Sequence, residues 1–273
     1  MVHLPNWIEL EGVVNMRDVG GLSTPTGDVV RPRRLLRSDN LQDLHPESVR
    51  ALLETYGVTD VIDLRTLVEV AREGEGPLRS VEAVAFHHFT LYREDSLETG
   101  IPAAERALPW EIDEKRAGIG ADVAGGSRPT HDEFWSGHYL SFLATRPDSV
   151  VAALRAISRS DGAAIVHCAA GKDRTGTIVG LALKIVGVTD DAVIADFAAS
   201  AERVPLILER LRSKPAYADN LRGKSVRQQS PRADTMRLLL QALESGFGDV
   251  HGWLATQGWT PEDTRRMEDK LLG

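Results

Sequence analysis

Cysteine is almost absent from this sequence, since Cys168 is the only one among 273 residues. A single thiol cannot form a disulfide within the chain, so we do not expect a fold held together by cross-links. Cations are also in deficit, with 32 Lys and Arg against 40 Asp and Glu and a formal net charge of −8. Because binding to a phosphate backbone depends on clustered positive charge, this balance argues against nucleic acid as a partner.

Long apolar runs are missing as well, and so is an N-terminal segment of the signal type. No stretch approaches the roughly 20 apolar residues that a membrane-spanning helix needs, so we expect no integral membrane segment. These absences favour a cytoplasmic protein, with secretion that uses no cleavable signal left open. Hydrophobic residues make up 42% and charged residues 26% of the chain, as in an ordinary globular domain.

The segment around the single cysteine carries most of the chemistry. Residues 167–176 read His-Cys-Ala-Ala-Gly-Lys-Asp-Arg-Thr-Gly, between an apolar stretch at 163–166 and an apolar helical pattern at 177–186. This order predicts a strand that delivers Cys168 into a tight loop at the start of a helix. Amide N–H groups from Ala169 to Arg174 and the helix dipole favour an anion there. The guanidinium of Arg174 adds a positive charge with two parallel N–H donors. Together these groups predict a lowered pKa for the Cys168 thiol, so that it acts as a thiolate nucleophile.

Small residues shape the predicted loop. Ala169, Ala170 and Gly171 let the backbone curl around an anion, and Gly176 lets the following helix approach the sheet closely. Thr175 is expected to donate a hydrogen bond to the sulfur. A small buried hydrophobe is the structural alternative for a lone cysteine.

The polar loop residues have competing explanations. Asp173 is the candidate general acid, although acidic residues are favoured in first helical turns by the dipole alone. Lys172 is expected to face the group that carries the phosphate, and a solvated loop lysine is its alternative. His167 is expected to orient the loop through hydrogen bonds.

Strand and helix patterns alternate along the chain. Strands are predicted at 35–37, 58–64, 83–91 and 163–167, and helices at 46–56, 131–145, 190–211, 233–243, 250–256 and 261–272. This alternation predicts an α/β fold with a central, mostly parallel sheet flanked by helices. Ligands of such sheets bind beyond the carboxyl ends of the strands, which is where Cys168 lies.

One segment, residues 92–130, breaks the pattern. It has few apolar residues and a glycine cluster, so we predict a lid or flexible insertion within a single domain of residues 1–273. A surface loop without a role is the alternative, and Leu108-Pro109-Trp110 is a candidate apolar anchor. Further on, the aromatic residues of 131–145 are expected to pack in the core. The basic residues between 203 and 232 predict either a positive rim for anionic substrates or a solvated helix face.

Residues 167–176 resemble the HCxxGKDRTG signature of the bacterial atypical protein tyrosine phosphatases. Residues 15–21 (Asn-Met-Arg-Asp-Val-Gly-Gly), 34–38, 61–65 and 252–273 resemble further segments of that family, so the resemblance covers nearly the whole chain. It implies a cysteine-phosphatase-like fold, with a helical lid in some members. It also implies activity on phosphotyrosine, and in some cases on phosphoserine, phosphothreonine and phosphoinositides.

The resemblance also assigns roles within the loop. It places the nucleophile at Cys168, the phosphate-binding arginine at Arg174, the proposed acid at Asp173 and the lysine linked to lipid headgroups at Lys172. The sequence departs from the family at Met16, where phenylalanine is usual, and at 199–201, where relatives tend to have Ser-Asn.

No mobile-loop Trp-Pro-Asp segment is recognisable, which is why the acid is placed at Asp173. Asp63 and Asp95 are rivals for that role, although Asp63 beside Arg65 is better explained as a buried structural ion pair. The same structural explanation suits Arg17 and Asp18.

The sequence therefore predicts a phosphatase that needs no metal or cofactor and acts through a cysteinyl-phosphate. Its predicted partners are phosphorylated protein or phosphoinositide substrates. A pseudophosphatase that binds phosphorylated partners without turnover is one alternative, and a sulfur-transfer enzyme of the rhodanese type is another.

Overall fold

A computed structural model describes residues 4–94, 102–109 and 129–273. Six strands form one sheet in the order β1-β2-β3-β6-β4-β5. The last four strands in that order are parallel, and the two short strands at one edge are antiparallel. The strands are β1 (Asn6–Trp7), β2 (Arg17–Asp18), β3 (Leu35–Ser38), β4 (Val58–Asp63), β5 (Ala85–His88) and β6 (Ala163–His167). The predicted α/β class with a mostly parallel sheet is confirmed.

Helices lie on both faces of the sheet. Within the described residues they are α1 (Pro46–Glu54), α2 (Leu67–Glu73), α3 (His131–Thr145), α4 (Pro147–Arg159), α5 (Asp173–Ile185), α6 (Asp190–Ala199), α7 (Val204–Arg212), α8 (Val226–Gln229), α9 (Ala233–Phe247), α10 (Val250–Thr256) and α11 (Pro261–Leu271). None of these helices is both long and apolar enough to cross a membrane.

Alternate strand residues supply two cores. In β6, Ala164 and Val166 pack into the larger core beneath α4, α5 and α9, whereas Ala163 and Ile165 pack into the smaller core beneath α1. Because successive strand side chains point to opposite faces, this alternation is what a sheet covered on both sides requires. The sheet is therefore a fixed platform for whatever follows its strands.

Three strands end at the same edge of the sheet. Ser38 at the end of β3 and Asp63 at the end of β4 both stand in register with His167 at the end of β6. The segments that follow these strands therefore meet at one place, immediately around Cys168.

Two element predictions need correction. The helix predicted at 190–211 is broken, because Pro205 lies in the first turn of a new helix, α7, which follows a 3-10 turn at Ser200–Arg203. The strand predicted at 83–91 is shorter, with β5 confined to Ala85–His88.

Most of the predicted lid, 92–130, lies outside the described residues, Trp110 included. In the described part, Leu108 is fully buried in a third apolar cluster together with residues of α7. The predicted apolar anchor is thus placed for Leu108 alone.

Candidate active site

The loop after β6 starts with Cys168 and passes directly into α5. Cys168 is only 2% exposed, and the strand end before it is fixed by a hydrogen bond from the Leu64 amide to the His167 carbonyl, 2.9 Å. α5 begins at Asp173, earlier than the apolar pattern at 177–186 indicates. Asp173 and Arg174 therefore lie in the first helical turn, where the helix dipole favours an anion.

Three consecutive loop carbonyls are each held from outside the loop. The Asn40 amide donates to the Ala169 carbonyl at 3.1 Å, and the Asn15 side-chain amide donates to the Ala170 carbonyl at 2.9 Å. A guanidinium nitrogen of Arg37 donates to the Gly171 carbonyl at 3.0 Å. In a trans peptide the C=O and N–H point in opposite directions, so turning these carbonyls outward turns the next amides inward. The loop is a cup of N–H groups, as an anion site requires.

Gly171 is required by both its conformation and its neighbours. Its φ is +67°, a region that side chains disfavour. A Cβ atom here would also lie 2.5 Å from the backbone of Ser38 and Asp39, the residues at the end of β3. At Gly176 a Cβ would meet the Phe197 ring of α6 at 2.7 Å. The close approach at Gly176 is thus mainly to the neighbouring helix, while the Arg37 side chain of β3 in the sheet lies 3.3 Å from the same position.

Arg174 is held in place by a residue that the sequence analysis missed. Its two terminal nitrogens donate to the two carboxylate oxygens of Glu69, at 2.6 and 2.8 Å, and one of them also donates to the Leu64 carbonyl at 3.2 Å. Burial raises the pKa of Glu69, but the charge and hydrogen bonds of Arg174 outweigh burial and leave it lowered. A two-point contact of this kind fixes the plane of the guanidinium.

The sequence does contain a local signal for Glu69. Thr66 and Glu69 form a capping box at the start of α2, in which each side chain accepts a hydrogen bond from the other residue's amide. The Thr-x-x-Glu spacing indicates such a box, yet it does not indicate that Arg174 binds the same carboxylate. The Tyr217 hydroxyl adds a third donor, at 3.0 Å.

A buried ionic cluster supports the back of the cup. Asp196 of α6 binds Arg17 at 2.8 Å and Arg37 at 2.5 Å. Burial raises the pKa of Asp196, and the two guanidinium groups outweigh it and bring that pKa to about 2. Arg17 also donates to the Asn15 side chain at 3.2 Å, which links this cluster to the Ala170 carbonyl. The structural ion pair predicted for Arg17 exists, but its partner is Asp196. Asp18 instead accepts backbone amides.

Asp39 connects the cup to α7. Its carboxylate accepts the amides of Val14 and Asn15 and forms an ion pair with Arg210. Arg210 and Lys214 both bind Asp43 as well, at 3.1 and 2.7 Å. Arg210 and Lys214 are therefore paired with acids of the chain and do not form the predicted positive rim, whereas Lys224 of the same 203–232 stretch lines one pocket with Cys168.

Asp173 and Lys172 contact each other and helix α3. Lys172 Nζ lies 2.7 Å from Asp173 Oδ2, and the Tyr139 hydroxyl donates to Asp173 Oδ1. Lys172 Nζ also lies 5.4 Å from the centre of the Trp135 ring. Burial raises the pKa of Asp173, but Lys172 and Tyr139 outweigh burial and leave it lowered.

The remaining predicted loop residues differ in how the structure places them. His167 is fully buried, and burial lowers its pKa to about 4, so it is neutral at neutral pH. Its Nδ1 lies 3.4 Å from the Cys168 carbonyl, a contact of the kind predicted for it. Thr175 Oγ1 is buried and makes no hydrogen bond to any described residue, so the bond predicted to the sulfur is not formed here.

The rivals for the acid role are also placed. Asp63 binds Arg65 through both carboxylate oxygens, and this contact takes its pKa well below the usual range although burial opposes it. Asp63 is thus the structural ion pair that the sequence analysis offered as its alternative. Asp95 lies outside the described residues.

Cys168, Lys172, Asp173 and Arg174 open into one pocket of about 550 Å³. One wall is apolar and comes from α7 and the turns after it, and includes Val204, Leu208 and Leu221. A second part of the lining comes from α3 and includes Phe134, Trp135 and His138. The expectation that the α3 aromatics pack in the core is wrong for Phe134, which is 56% exposed, whereas Tyr139 and Phe142 are buried and Trp135 packs against the core from the pocket side.

Comparison with known proteins gives a consistent assignment. A family model described as tyrosine phosphatase family matches residues 8–273. The chain is 28% identical to the triple specificity protein phosphatase PtpB of Mycobacterium tuberculosis, over 97% of this chain and 99% of that protein. It is also 28% identical to a tyrosine-protein phosphatase of Nostoc commune, over 50% of this chain and 46% of that protein.

Proposed function

Because the chain belongs to the tyrosine phosphatase family and is a protein-tyrosine phosphatase, we propose that it acts through a covalent phosphate on Cys168. The observation that carries this proposal is the cup itself. Three carbonyls are held outward above a buried cysteine, and Arg174 is oriented beside it by Glu69. Such donors stabilise charge that develops on the oxygens of a transferring phosphoryl group.

The first step forms an S–P bond and breaks the ester P–O bond. Cys168 Sγ attacks phosphorus as a thiolate, while the inward amides and the Arg174 fork bind the phosphoryl oxygens. The electron pair of the P–O bond leaves with the ester oxygen. Asp173, at the mouth of the cup and in the same pocket, donates a proton to that oxygen.

The second step regenerates the thiolate. A water molecule attacks the phosphorus of the cysteinyl-phosphate, and Asp173, now a carboxylate, accepts its proton. The electron pair of the S–P bond returns to Sγ, and inorganic phosphate leaves. His167 is buried and neutral, and it has no part in these proton transfers.

Phosphotyrosine is the proposed principal substrate. Aromatic side chains of α3 and apolar side chains of α7 line the same pocket as Cys168, which suits an aryl ring carried above the cup. The name of PtpB describes triple specificity, and this supports the proposal that the chain also accepts phosphoserine or phosphothreonine and phosphoinositides.

The test is to trap the intermediate. We expect stopped reactions with a phosphotyrosine peptide to show a phosphocysteine on the peptide that contains Cys168, and Cys168→Ser to show neither the adduct nor turnover. Initial rates on phosphoinositides measure the wider specificity. A protein that binds the peptide but releases no phosphate would be a pseudophosphatase, and the proposal would be wrong.

A further inference from the structure

The two oxygens of the Asp173 carboxylate have different partners. Oδ1 accepts the Tyr139 hydroxyl from α3, and Oδ2 contacts Lys172 Nζ at 2.7 Å. A carboxyl group that protonates a leaving group must carry its proton on an oxygen that faces that group. With one donor on each oxygen, the arrangement that the structure shows favours the unprotonated carboxylate, which has no proton to give.

Lys172 is the partner that lines the pocket, although only 6% of the residue is exposed. Its ammonium sits on a flexible stem in the pocket, where the cation can contact either the Asp173 carboxylate or an anion above the cup. Tyr139, in contrast, is 2% exposed, and its ring packs against Phe142 and Phe197 at centroid distances of 6.1 and 5.9 Å. The hydroxyl of Tyr139 is therefore fixed by the core.

We infer that Tyr139 is a positioning residue for Asp173, and that a substrate phosphate activates Asp173 by drawing the Lys172 ammonium from Oδ2. This inference depends on the proposed function, because it concerns the acid of the same reaction. Once Lys172 binds a phosphoryl oxygen, Oδ2 takes a proton from solvent, while Oδ1 still accepts the Tyr139 hydroxyl. When the P–O bond breaks, the proton on Oδ2 passes to the leaving oxygen.

The electrostatics of the site agree with this order of events. Lys172 and Tyr139 both stabilise the charged form of Asp173 and hold its pKa down. Loss of the Lys172 contact therefore raises the proton affinity of the carboxyl. The other ionisable groups that face it are His138 of α3, Tyr92, and Cys168 and Arg174 of the loop.

The inference makes a kinetic prediction for the unmodified protein. The pH dependence of kcat/KM reports the free enzyme, and that of kcat reports the bound complex. Because Lys172 leaves Asp173 only in the complex, the high-pH decline should lie at lower pH in kcat/KM than in kcat. In Lys172→Met the two declines should coincide.

Tyr139→Phe tests the positioning role, because it removes one hydroxyl and keeps the packed ring. The high-pH declines of kcat and kcat/KM should both move to higher pH, because the charged form of the Asp173 carboxylate loses a hydrogen bond. Turnover of a phosphotyrosine peptide should fall at least about tenfold. Turnover of p-nitrophenyl phosphate, whose leaving group departs without protonation, should change less than about twofold. Tyr56→Phe, in the smaller core on the other side of the sheet, is the matched control and should change neither profile.

Three results would overturn the inference. In the first, the high-pH declines of kcat and kcat/KM coincide in the wild-type protein. In the second, these declines remain at different pH values in Lys172→Met. In the third, Tyr139→Phe lowers the turnover of both substrates equally and leaves the pH of both declines unchanged. If Asp173→Asn affects both substrates alike while Cys168 is still required, the acid lies elsewhere and the phosphatase proposal stands. If the wild-type protein turns over neither substrate, the phosphatase proposal fails as well.

Discussion

Asn15 donates its side-chain amide to the carbonyl of Ala170, a residue 155 positions further along the chain, at 2.9 Å. The same side chain accepts a hydrogen bond from Arg17. The N-terminal segment of the chain is thus part of the scaffold that shapes the phosphate cup, and its residues are expected to matter for catalysis without touching substrate.

Replacing Asn15 tests this relationship. Asn15→Asp keeps the size of the side chain but removes the N–H donor, so the Ala170 carbonyl loses the hydrogen bond that holds it outward. We expect kcat/KM to fall about tenfold to a hundredfold, because small displacements of reacting groups are costly. Steady-state rates on p-nitrophenyl phosphate measure the effect. Asn6→Asp is the matched control, since Asn6 donates a similar bond to Gly20 outside the loop. Equal rates in Asn15→Asp and wild type would show that the anchor is dispensable.

Glu69→Gln tests the orientation of Arg174. The substitution leaves a buried guanidinium without its opposite charge, so the free energy of unfolding should fall by about 3 kcal/mol. KM should rise and kcat should fall, because the fork is no longer held in one plane. Glu73→Gln, one turn later on α2 and bound only to the Ala216 amide among described residues, should have a far smaller effect.

Arg174→Lys should also be inactive, because a single ammonium charge cannot replace the two parallel donors of the guanidinium.

Gly171→Ala tests the shape of the cup. The new methyl group would lie 2.5 Å from the backbone of Ser38 and Asp39, in a conformation that alanine disfavours. We expect loss of activity and of binding to inorganic phosphate, measured by calorimetry. Gly187→Ala shares the positive φ, at +78°, but has nothing within 4 Å of the added Cβ. It should cost only about 1 kcal/mol of stability and leave phosphate binding intact. Similar behaviour of the two variants would refute the steric account.

Asp196→Asn makes a prediction about acid stability. The pKa of Asp196 is about 2 in the folded protein and near 3.8 when unperturbed. Because the unfolded state binds the proton more readily, the stabilisation by this carboxylate is present above pH 4 and is lost as the pH falls through about 2. The shift corresponds to about 2 kcal/mol.

Denaturant unfolding at several pH values measures this effect. The difference in unfolding free energy between wild type and Asp196→Asn should be constant above about pH 4 and shrink as the pH falls from about 4 to about 2. Asp191→Asn, at an exposed position of the same helix, is the control. A difference that does not change with pH would mean that Asp196 contributes through packing alone.

The sequence was sufficient for the parts of the site that are local in the chain. Residues 168–176 follow one strand and open one helix, so their spacing alone predicts an anion-binding loop. The α/β class followed in the same way from the alternation of apolar segments. Pro205 carried a signal too, but the helical pattern on either side of it concealed the break.

The parts of the site that the sequence did not predict are contacts between segments that are distant in the chain. Glu69 lies 105 residues from Arg174, and Asp196 lies 159 residues from Arg37. No periodicity or spacing relates such pairs, because the register of β4 and β6 brings Glu69 to Arg174 and the packing of α6 brings Asp196 to Arg37. The aromatic residues of α3 show the same limit. Burial of Tyr139 and exposure of Phe134 depend on which face the neighbouring helices leave open.

Arg37 illustrates what this architecture implies for the evolution of the protein. One guanidinium reaches both the Gly171 carbonyl and the Asp196 carboxylate. A variant selected only for heat tolerance and a variant selected only for turnover would both have to keep this side chain. A substitution of Arg37 is therefore expected to reduce stability and turnover together.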